Sequence, residues 1–420
     1  MKVCMVSTVP PTTCGIATYC VRLSDALSRN GKCQVVILGN KNTSAAKDLS
    51  TFNSNFKTVR VWKRDSFLFP FALFHAILYE KPHIIHIQHE YLLYGRPKSS
   101  AAFLMLLVML RLLRKPVIIT MHSTMPRTRL QGSFFQRYES SKGLVALKKH
   151  AIFLVTVCIG FFSLKVIVHL ESARKVLIAD YKFEPKKIVV IPHGIEKYET
   201  PYGQNEAKMK LGLDGKKILL FFGFIRPSKG IETLILAMPR IMKFFSGVKL
   251  LIVGNYHPYL TPKGSDYFRE LKTLVHELGL DEDVLFVSEL VPDEELSLYG
   301  VASDLVVFPY VEADIIGASG ALSSLLSFGK PVVATRVGRF VDTIDDGEDG
   351  LLVPPADSTS LSDAIISLLS NPRFEQKISE KLLDKAEKNS WKNVAQKTMS
   401  LYRDVRQKQG QRESHDDTLP

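Results

Sequence analysis

The chain has 420 residues, of which 46% are hydrophobic and 23% are charged. These values are typical of globular proteins and exclude a disordered chain, a collagen and a coiled rod. The net charge of +13 is unevenly distributed, since residues 1–195 hold 28 lysines and arginines against 9 acidic residues, and residues 196–420 hold 27 against 33. Two halves of opposite charge are expected to face different partners.

The cysteine pattern argues against a disulfide framework or a zinc module. No two of the five cysteines are spaced as Cys-x-x-Cys: Cys4, Cys14, Cys20, Cys33 and Cys158. We therefore expect a reducing, cytoplasmic compartment. The apolar runs 101–110 and 151–164 are shorter than the ~20 residues of a spanning helix, so buried helices are expected there and attachment to a membrane surface stays open.

Short β-branched runs alternate with helical patterns along the whole chain. In the first half the predicted strands are 3–8, 34–39, 58–62, 83–88, 116–122, 165–170 and 187–192. In the second half they are 217–223, 248–254, 284–288, 305–309, 331–335 and 350–354. Continuous apolar runs indicate strands buried on both faces, and the alternation with helices predicts an α/β protein with two doubly wound, Rossmann-like domains that face a cleft.

A polar, turn-rich segment between Ile195 and Lys216 interrupts this pattern. We therefore expect one domain at 1–194 and a second at 195–389. Residues 409–420 are expected to be a disordered tail. In open α/β domains, ligands bind beyond the carboxyl ends of the strands, so the functional residues are expected directly after strands.

In the first half, polar residues follow three of the predicted strands. Gly15 lies at a strand-to-helix turn where backbone can approach an anion, although the turn lacks a Gly-x-Gly-x-x-Gly pattern. His89 and Glu90 end the fourth strand, and His122 ends the fifth, with Arg127 beyond it. Histidines three residues apart on a strand point to opposite faces, so we expect hydrogen-bonding groups rather than a metal site.

In the second half, two strand ends carry the residue types of a phosphate site. Gly223 ends a strand and is followed by the cations Arg226 and Lys229, and then by a glycine and a helix. After the strand that ends at Pro309, Glu312 could accept hydrogen bonds from sugar hydroxyls. Ser319 and Gly320 then open a helix whose free N–H groups can reach an anion.

Taken together, these motifs resemble the retaining glycosyltransferases of family 4 (group 1), which have the type-B fold. The resemblance runs from Lys2 to about Tyr402 and includes CGIATYCVRLSDAL, IPHGIE, FGFIRPSKGIETL, GKPVVATRVG and DGEDGLLVPPAD. SWKNVAQKTMSLY is similar to the final helix of the family, which implies a helix at 390–408 that crosses back to the first domain.

The resemblance implies an acceptor domain at 1–194 and a nucleotide-sugar donor domain at 195–389. It implies that His122, Arg226, Lys229 and Glu312 are catalytic. The implied donor-binding residues are Gly15, Gly223, Arg226, Lys229, Glu312, Ser319, Gly320, Ala321, Leu322 and Ser324. The implied acceptor-binding residues are His89, Glu90, His122 and Arg127. No cofactor and no metal ion are expected.

The chain departs from the family pattern in its acidic motif. The family has Glu-x7-Glu, and here Ser324 stands where the second glutamate is expected, after a longer loop. The arginine also follows Gly223 two residues later than usual. Binding of the donor ribose is therefore expected to be weaker or to use other groups. Whether the donor is a GDP-sugar or a UDP-sugar stays open.

The resulting prediction is a retaining, metal-independent transferase that moves a mannose- or glucose-type hexose from a nucleotide-diphosphate sugar to a saccharide or a lipid-linked acceptor. A sugar-nucleotide epimerase or a phosphorylase of the same fold, and a non-enzymatic basic surface-binding protein, are the alternatives. No basic segment is interleaved with aromatic residues, so nucleic acid is not an expected partner. The apolar runs 66–74 and 101–110 lie beside basic residues, which predicts peripheral attachment to an anionic membrane surface.

Overall fold

The chain forms two compact units. Unit 1 contains Met1–Gly194, Asp314–Ala318 and Trp391–Pro420, and unit 2 contains Ile195–Ala313 and Ser319–Ser390. This computed structural model describes residues 1–12, 14–29, 31, 33–41, 56–91, 93–95, 97–113, 115–130, 142–255, 261–288, 291–311 and 315–416.

Unit 1 is built on a parallel sheet of seven strands in the order β3-β2-β1-β4-β5-β6-β7. The strands are β1 (Lys2–Val6), β2 (Gln34–Asn40), β3 (Lys57–Trp62), β4 (Ile84–His89), β5 (Val117–Met121), β6 (Lys165–Val168) and β7 (Ile188–Val190). The order reverses between β1 and β4, so the crevice at the carboxyl ends of these strands is the expected ligand position.

Helices cover both faces of this sheet. They are α1 (Gly15–Ser28), α2 (Phe69–Glu80), α3 (Pro97–Leu112), α4 (Arg127–Leu130), α5 (Lys142–Phe162) and α6 (Glu171–Tyr181). Alternate residues of β1 enter different cores: Cys4 and Val6 join one cluster, whereas Val3 and Met5 join the other. The sheet is therefore buried on both faces, which explains the continuous apolar runs of its strands.

Unit 2 contains a parallel sheet of six strands in the order β10-β9-β8-β11-β12-β13. The strands are β8 (Lys217–Phe222), β9 (Val248–Val253), β10 (Val284–Val287), β11 (Leu305–Phe308), β12 (Val332–Thr335) and β13 (Leu351–Val353). The helices are α7 (Gln204–Lys210), α8 (Ile231–Met242), α9 (Thr261–Glu277), α10 (Asp293–Ala302), α11 (Gly320–Leu325), α12 (Gly338–Val341), α13 (Ser358–Ser370) and α14 (Pro372–Lys388). All thirteen predicted strands are present, and the order reverses between β8 and β11.

The last helix, α15 (Trp391–Asp416), belongs to unit 1. Trp391, Leu401 and Tyr402 pack into the same cluster as Tyr19 and Leu23 of α1. The helix continues to Asp416, beyond the predicted end at residue 408. Residues 409–416 are therefore helical rather than part of a disordered tail, because the polar composition of this segment suits an exposed helix as well as a coil.

The run 101–110 lies within α3 of unit 1, and the run 151–164 lies in α5 up to the end of that helix at Phe162. Among the described residues, no helix combines the length and the hydrophobicity that crossing a membrane requires. One face of α3 is buried through Phe103, Leu106 and Leu110, as expected of a helix packed on a sheet.

Gly194 permits a close contact at the end of the first part of unit 1. A Cβ atom at this position would lie 2.3 Å from the ring of Trp391, which is 6% exposed. We expect Gly194→Ser to lower the free energy of unfolding by about 1–3 kcal/mol, because a packed core resists added volume. Gly203→Ser is the matched control, since a Cβ there meets no atom within 4 Å. Urea unfolding measures both, and equal stability of the two variants would contradict the packing argument.

Candidate functional site

In unit 2, a buried lysine lies at the carboxyl ends of β8 and β11. Lys229 is 7% exposed, and its Nζ lies 3.5 Å from the ring centroid of Tyr310, two residues after the end of β11. The guanidinium carbon of Arg339, on α12, lies 5.7 Å from the same ring centroid. An aromatic face attracts cations, so Tyr310 organises positive charge at this edge of the sheet.

The turn between β8 and α8 places Lys229 there. Pro227 and Lys229 bound a short 3-10 turn, and Gly230 follows it in the left-handed conformation with a φ of 61°. A Cβ atom on Gly230 would lie 2.1 Å from the carbonyl oxygen of Pro309. Glycine is therefore required both for the backbone conformation and for the close approach of the two loops.

Three cations interact in this region, and we call Arg226, Lys229 and Arg339 the cation cluster. Burial lowers the pKa of Lys229 well below its usual value, and the charges of Arg226 and Arg339 lower it further. Like charges held together in a buried place are costly for folding, and an anion bound among them would relieve this repulsion. The cluster therefore has the electrostatics of a phosphate site.

The start of α11 lies beside the end of β8. A Cβ atom on Gly223 would lie 3.6 Å from the Cβ of Ala321 and 3.8 Å from the Tyr310 hydroxyl. Ser319 caps the helix, because its Oγ accepts a hydrogen bond from the backbone N–H of Leu322 at 3.3 Å. Gly320 borders open space, since a Cβ there would meet no atom within 4 Å.

In unit 1, buried histidines form hydrogen bonds at the carboxyl ends of β4, β5 and β6. Nε2 of His122 lies 2.8 Å from the side-chain oxygen Oε1 of Gln88, and Nδ1 of His122 lies 3.2 Å from Nε2 of His169. Nδ1 of His169 lies 2.9 Å from the carbonyl oxygen of Ile191. We call His122 and His169 the histidine pair.

Burial keeps this region uncharged. It lowers the pKa of His169 to about 4 and the pKa of His193 to about 3. The pKa of His122 is also well below its usual value, through burial first and then through the neighbouring histidines. Tyr19 lies among the three rings, with its own ring centroid 4.6 Å from that of His122. At neutral pH the histidines therefore act as neutral donors and acceptors.

A second chain of hydrogen bonds links the same strands to α15. Nε2 of His86 lies 2.7 Å from the hydroxyl of Thr120, and Nδ1 of His86 lies 2.5 Å from the hydroxyl of Tyr402. Tyr94 donates to the carbonyl oxygen of Gln88 at 2.8 Å. These contacts hold β4 and β5 in register at the point where His122 leaves the sheet.

Glu90 follows β4 and is half-buried. Its Oε1 accepts hydrogen bonds from the hydroxyl of Ser123 and, at 3.2 Å, from the backbone N–H of Tyr91. Thr124, the next residue along from Ser123, pairs with Ile316, with N···O distances of 2.7 and 2.8 Å. The loop after β5 is thus fixed on one side by a carboxylate and on the other by residues 315–318 of unit 1.

Comparison with known proteins assigns both halves of the chain to one group of enzymes. A family model for "Glycosyltransferase Family 4" matches residues 13–197, and one for "Glycosyl transferases group 1" matches residues 203–388. The chain belongs to the group 1, family 4 glycosyltransferases. The two parallel sheets are those of the type-B glycosyltransferase fold.

Individual relatives of this glycosyltransferase agree with the assignment. An uncharacterized glycosyltransferase of Methanocaldococcus jannaschii is 27% identical over 96% of this chain and 98% of its own length. A D-inositol 3-phosphate glycosyltransferase of Nocardioides sp. is 30% identical over 56% of this chain and 52% of its own length. The chain thus spans about half the length of the D-inositol 3-phosphate glycosyltransferases that it matches.

A solved structure shows the same fold. Anabaena HepE in complex with UDP-glucose superposes with a TM-score of 0.70 at 15% identity, covering 96% of this chain and 99% of that one. At this level of identity the likeness concerns the fold alone.

The structure brings together some of the predicted donor residues of the glycosyltransferase. Gly223 and Lys229 lie next to Tyr310, and Ala321 lies next to Gly223, whereas Glu312 lies outside the described residues. Ser324 is half-buried, and its Oγ donates to the carbonyl oxygen of Gly320 at 3.0 Å. Leu322 is buried in the core, and its backbone N–H donates to Oγ of Ser319.

The predicted acceptor residues of unit 1 lie in different environments. His89 is 4% exposed and packs against Phe103, so its ring is part of the core rather than a group that points to solvent. Arg127 is exposed and its guanidinium lies over Phe153, with 5.4 Å between Cζ and the ring centroid. Gly15 begins α1 and borders open space, because a Cβ there would meet no atom within 4 Å.

Five residues of the two sites were not predicted from the sequence. They are Gln88, His169, His193, Tyr310 and Arg339. His169 directly follows β6, just as His122 directly follows β5, so its position at a strand end was a usable signal. Arg339 carried no such signal, because it lies in a short helix, α12, whose approach to Tyr310 is a tertiary contact. Among the described residues, no group of three His, Cys, Asp or Glu side chains is placed to hold a metal ion.

The electrostatic cost of Lys229 predicts an unusual effect on stability. Its folded-state pKa is lowered, so the charged form opposes folding, and this penalty is fully present below that pKa and relieved as the pH rises above it. We expect Lys229→Met to raise the free energy of unfolding at pH 7 by about 1 kcal/mol. Urea unfolding at pH 7 measures this change.

Lys208→Met is the matched control for this prediction. Lys208 is also buried, but its Nζ lies 2.7 Å from Oδ2 of Asp304. Loss of that pair should destabilise unit 2 by about 2 kcal/mol, because a partly buried carboxylate loses a charged partner. An equal loss of stability in both variants would contradict the argument that Lys229 is held at an electrostatic cost.

Proposed function

We propose that this glycosyltransferase moves a mannose- or glucose-type hexose from a nucleotide-diphosphate sugar to a saccharide or lipid-linked acceptor, with retention of the anomeric configuration. The observation that carries the proposal is the cation cluster at the switch point of unit 2, in which Lys229 is buried and the two arginines are half-buried. A diphosphate is the part of such a donor whose charge matches Arg226, Lys229 and Arg339.

The cation cluster would act mainly on the leaving group. When the bond between the sugar C1 and the phosphate oxygen breaks, negative charge develops on the nucleoside diphosphate. Fixed cations stabilise the transition state, in which this charge has developed, more than they stabilise the ground state. They therefore lower the free-energy barrier of the transfer. The positive charge is supplied here by side chains, and on this basis we propose that the transfer is metal-independent.

Retention follows if the acceptor oxygen attacks C1 from the face that the phosphate leaves. The new C1–O bond forms as the old one breaks through an oxocarbenium-like state, and the proton of the acceptor hydroxyl passes to the departing phosphate. This course requires no protein nucleophile. The anomeric configuration of the product, measured by NMR coupling constants with UDP- and GDP-hexoses as donors, tests it directly.

Donor binding provides a test of the cation cluster. We expect Arg226→Met and Arg339→Met each to weaken the binding of UDP or GDP by about tenfold or more, because each removes a charge-assisted contact. Arg240→Met is the matched control, since Arg240 is a cation of the same unit that binds Asp363 instead. Calorimetric titration measures all three, and unchanged affinity in the first two variants would remove the cluster from the donor site.

The acceptor is proposed to be anionic and held at a membrane surface. The D-inositol 3-phosphate glycosyltransferases named above act on a phosphorylated acceptor by their names, and a Mycobacterium leprae relative is named as a phosphatidyl-myo-inositol mannosyltransferase. The basic first half of this chain suits an acceptor or a surface of that charge. A membrane-bound acceptor also requires that unit 1 can approach lipid.

Exposed apolar side chains on neighbouring helices of unit 1 support this approach. We call them the apolar face: Phe67, Leu68, Phe71, Leu78, Tyr79, Val108, Leu112, Leu154 and Phe161, each at least 45% exposed. Those from 67 to 79 follow helical spacing along the outer side of α2, which packs on α3, and α3 packs on α5. With Lys63, Arg111 and Lys115 nearby in sequence, this arrangement is typical of a peripheral contact with anionic lipid.

Liposome co-sedimentation tests the apolar face. We expect binding to anionic vesicles that falls as salt is raised, and a loss of about tenfold or more in the double variant Phe71→Glu, Leu112→Glu, because charges replace inserted side chains. Phe244→Glu in unit 2 is the control, since Phe244 is also exposed, at 61%, but lies outside the apolar face. Failure of the wild-type protein to bind anionic vesicles at low salt would leave a non-membrane saccharide as the acceptor.

A further inference from the structure

Both ring nitrogens of His122 have partners inside unit 1. Nε2 faces the side-chain oxygen Oε1 of Gln88 at 2.8 Å, and Nδ1 faces Nε2 of His169 at 3.2 Å. His122 is the residue that follows β5 and that we expect to act near the reacting sugar. Its hydrogen-bonding state is therefore set by Gln88 and His169 before any substrate arrives.

The carbonyl group of Ile191 determines where the proton of His169 lies. A carbonyl oxygen only accepts hydrogen bonds, so Nδ1 of His169, at 2.9 Å from it, must carry a hydrogen. Burial lowers the pKa of His169 to about 4, so at pH 7 the ring is neutral and has one N–H. Its Nε2 is then a lone pair, and this lone pair faces His122.

The same reasoning applies to the ring of His122. Since Nε2 of His169 accepts, Nδ1 of His122 must donate, and the neutral ring of His122 then has a lone pair on Nε2. As placed, the Gln88 amide turns its oxygen towards Nε2 of His122, while its nitrogen donates to Sδ of Met5 at 2.9 Å. That orientation would require a hydrogen on Nε2 of His122 and would leave two lone pairs facing each other between His122 and His169. A half-turn of the amide, which exchanges its oxygen and nitrogen, removes this conflict and satisfies the lone pair on Nε2. The hydrogen bonds therefore run in one direction, from Gln88 through His122 and His169 to Ile191.

We propose that His169 is a positioning residue that holds His122 in the Nδ1–H tautomer, which makes Nε2 the only hydrogen-bond acceptor of that ring. The inference rests on the proposed function where it concerns turnover: a sugar or acceptor hydroxyl that displaces the Gln88 amide donates to Nε2. Without His169, the Nε2–H tautomer becomes accessible, and that form presents a donor where the substrate needs an acceptor.

Two substitutions of His169 separate positioning from packing. His169→Gln places a side-chain oxygen about where Nε2 was, so it still accepts from His122. His169→Asn places its amide about where Nδ1 was, so it keeps the contact with Ile191 but does not reach His122. Both are polar and similar in size, and circular dichroism and thermal unfolding establish that each folds.

The tautomer of His122 is measured directly by ¹⁵N NMR on protein with labelled histidine, with the His122 signals assigned from His122→Gln. The wild type at pH 7 is expected to show a protonated Nδ1 and an unprotonated Nε2. His169→Gln should keep this pattern, and His169→Asn should lose it. A wild-type His122 in the Nε2–H form, or an unchanged tautomer in His169→Asn, would overturn the proposal. The wild-type measurement stands even if a variant does not fold.

Kinetics give a second readout that a merely structural residue would not produce. We expect kcat to fall about tenfold or more in His169→Asn and to stay within about threefold in His169→Gln, as when a catalytic histidine loses its tautomer partner. The KM for the donor should stay unchanged in both. Equal kcat in the two variants would overturn the role in turnover. Absence of transfer from any nucleotide sugar would count against the proposed function, whereas the NMR result would still decide the tautomer.

Discussion

Parallel pairing of all thirteen strands is the constraint from which both candidate sites follow. Parallel strands place all their carboxyl ends at one edge of the sheet, so residues far apart in sequence meet there without any local signal. In unit 1 this constraint brings Gln88, His122 and His169 together from three different strands. In unit 2 it brings the loop after β8 against the loop after β11, where Gly230 allows the two backbones to touch.

Burial gives the two sites opposite electrostatic characters. In unit 1 burial lowers the pKa values of the histidines, so that at neutral pH they are uncharged donors and acceptors of hydrogen bonds. In unit 2 burial depresses the pKa of Lys229, and the neighbouring Arg226 and Arg339, which cannot lose their charge, depress it further. An anion bound among these cations offsets their mutual repulsion. A site of this kind lowers the free energy of unfolding of the unbound protein and in return favours the binding of an anion.

The apolar face lies on the outer helices of unit 1. Helices α2 and α3 bury one side against the sheet, through Leu73 and Leu106 for example, and leave apolar side chains on the other. A helix that is apolar all round normally lies in the middle of a large core or in contact with lipid. These helices form the outer layer of unit 1, and the proposed contact with a membrane surface would cover the side chains that water alone does not favour.

The amino-acid sequence by itself determined the architecture, because continuous β-branched runs, helical spacing and glycines at strand ends are local properties of the chain. It also indicated Lys229 and His122, since each lies directly after a strand or its turn. Only the tertiary structure decided what those residues do. It buries His89 in the core, pairs the backbone N–H of Leu322 with Ser319, and extends α15 to Asp416. It also places Arg339 beside Tyr310, and His169 beside His122. These outcomes depend on contacts between residues distant in sequence, and on burial, which shifts a pKa or fixes a tautomer only after the chain has folded.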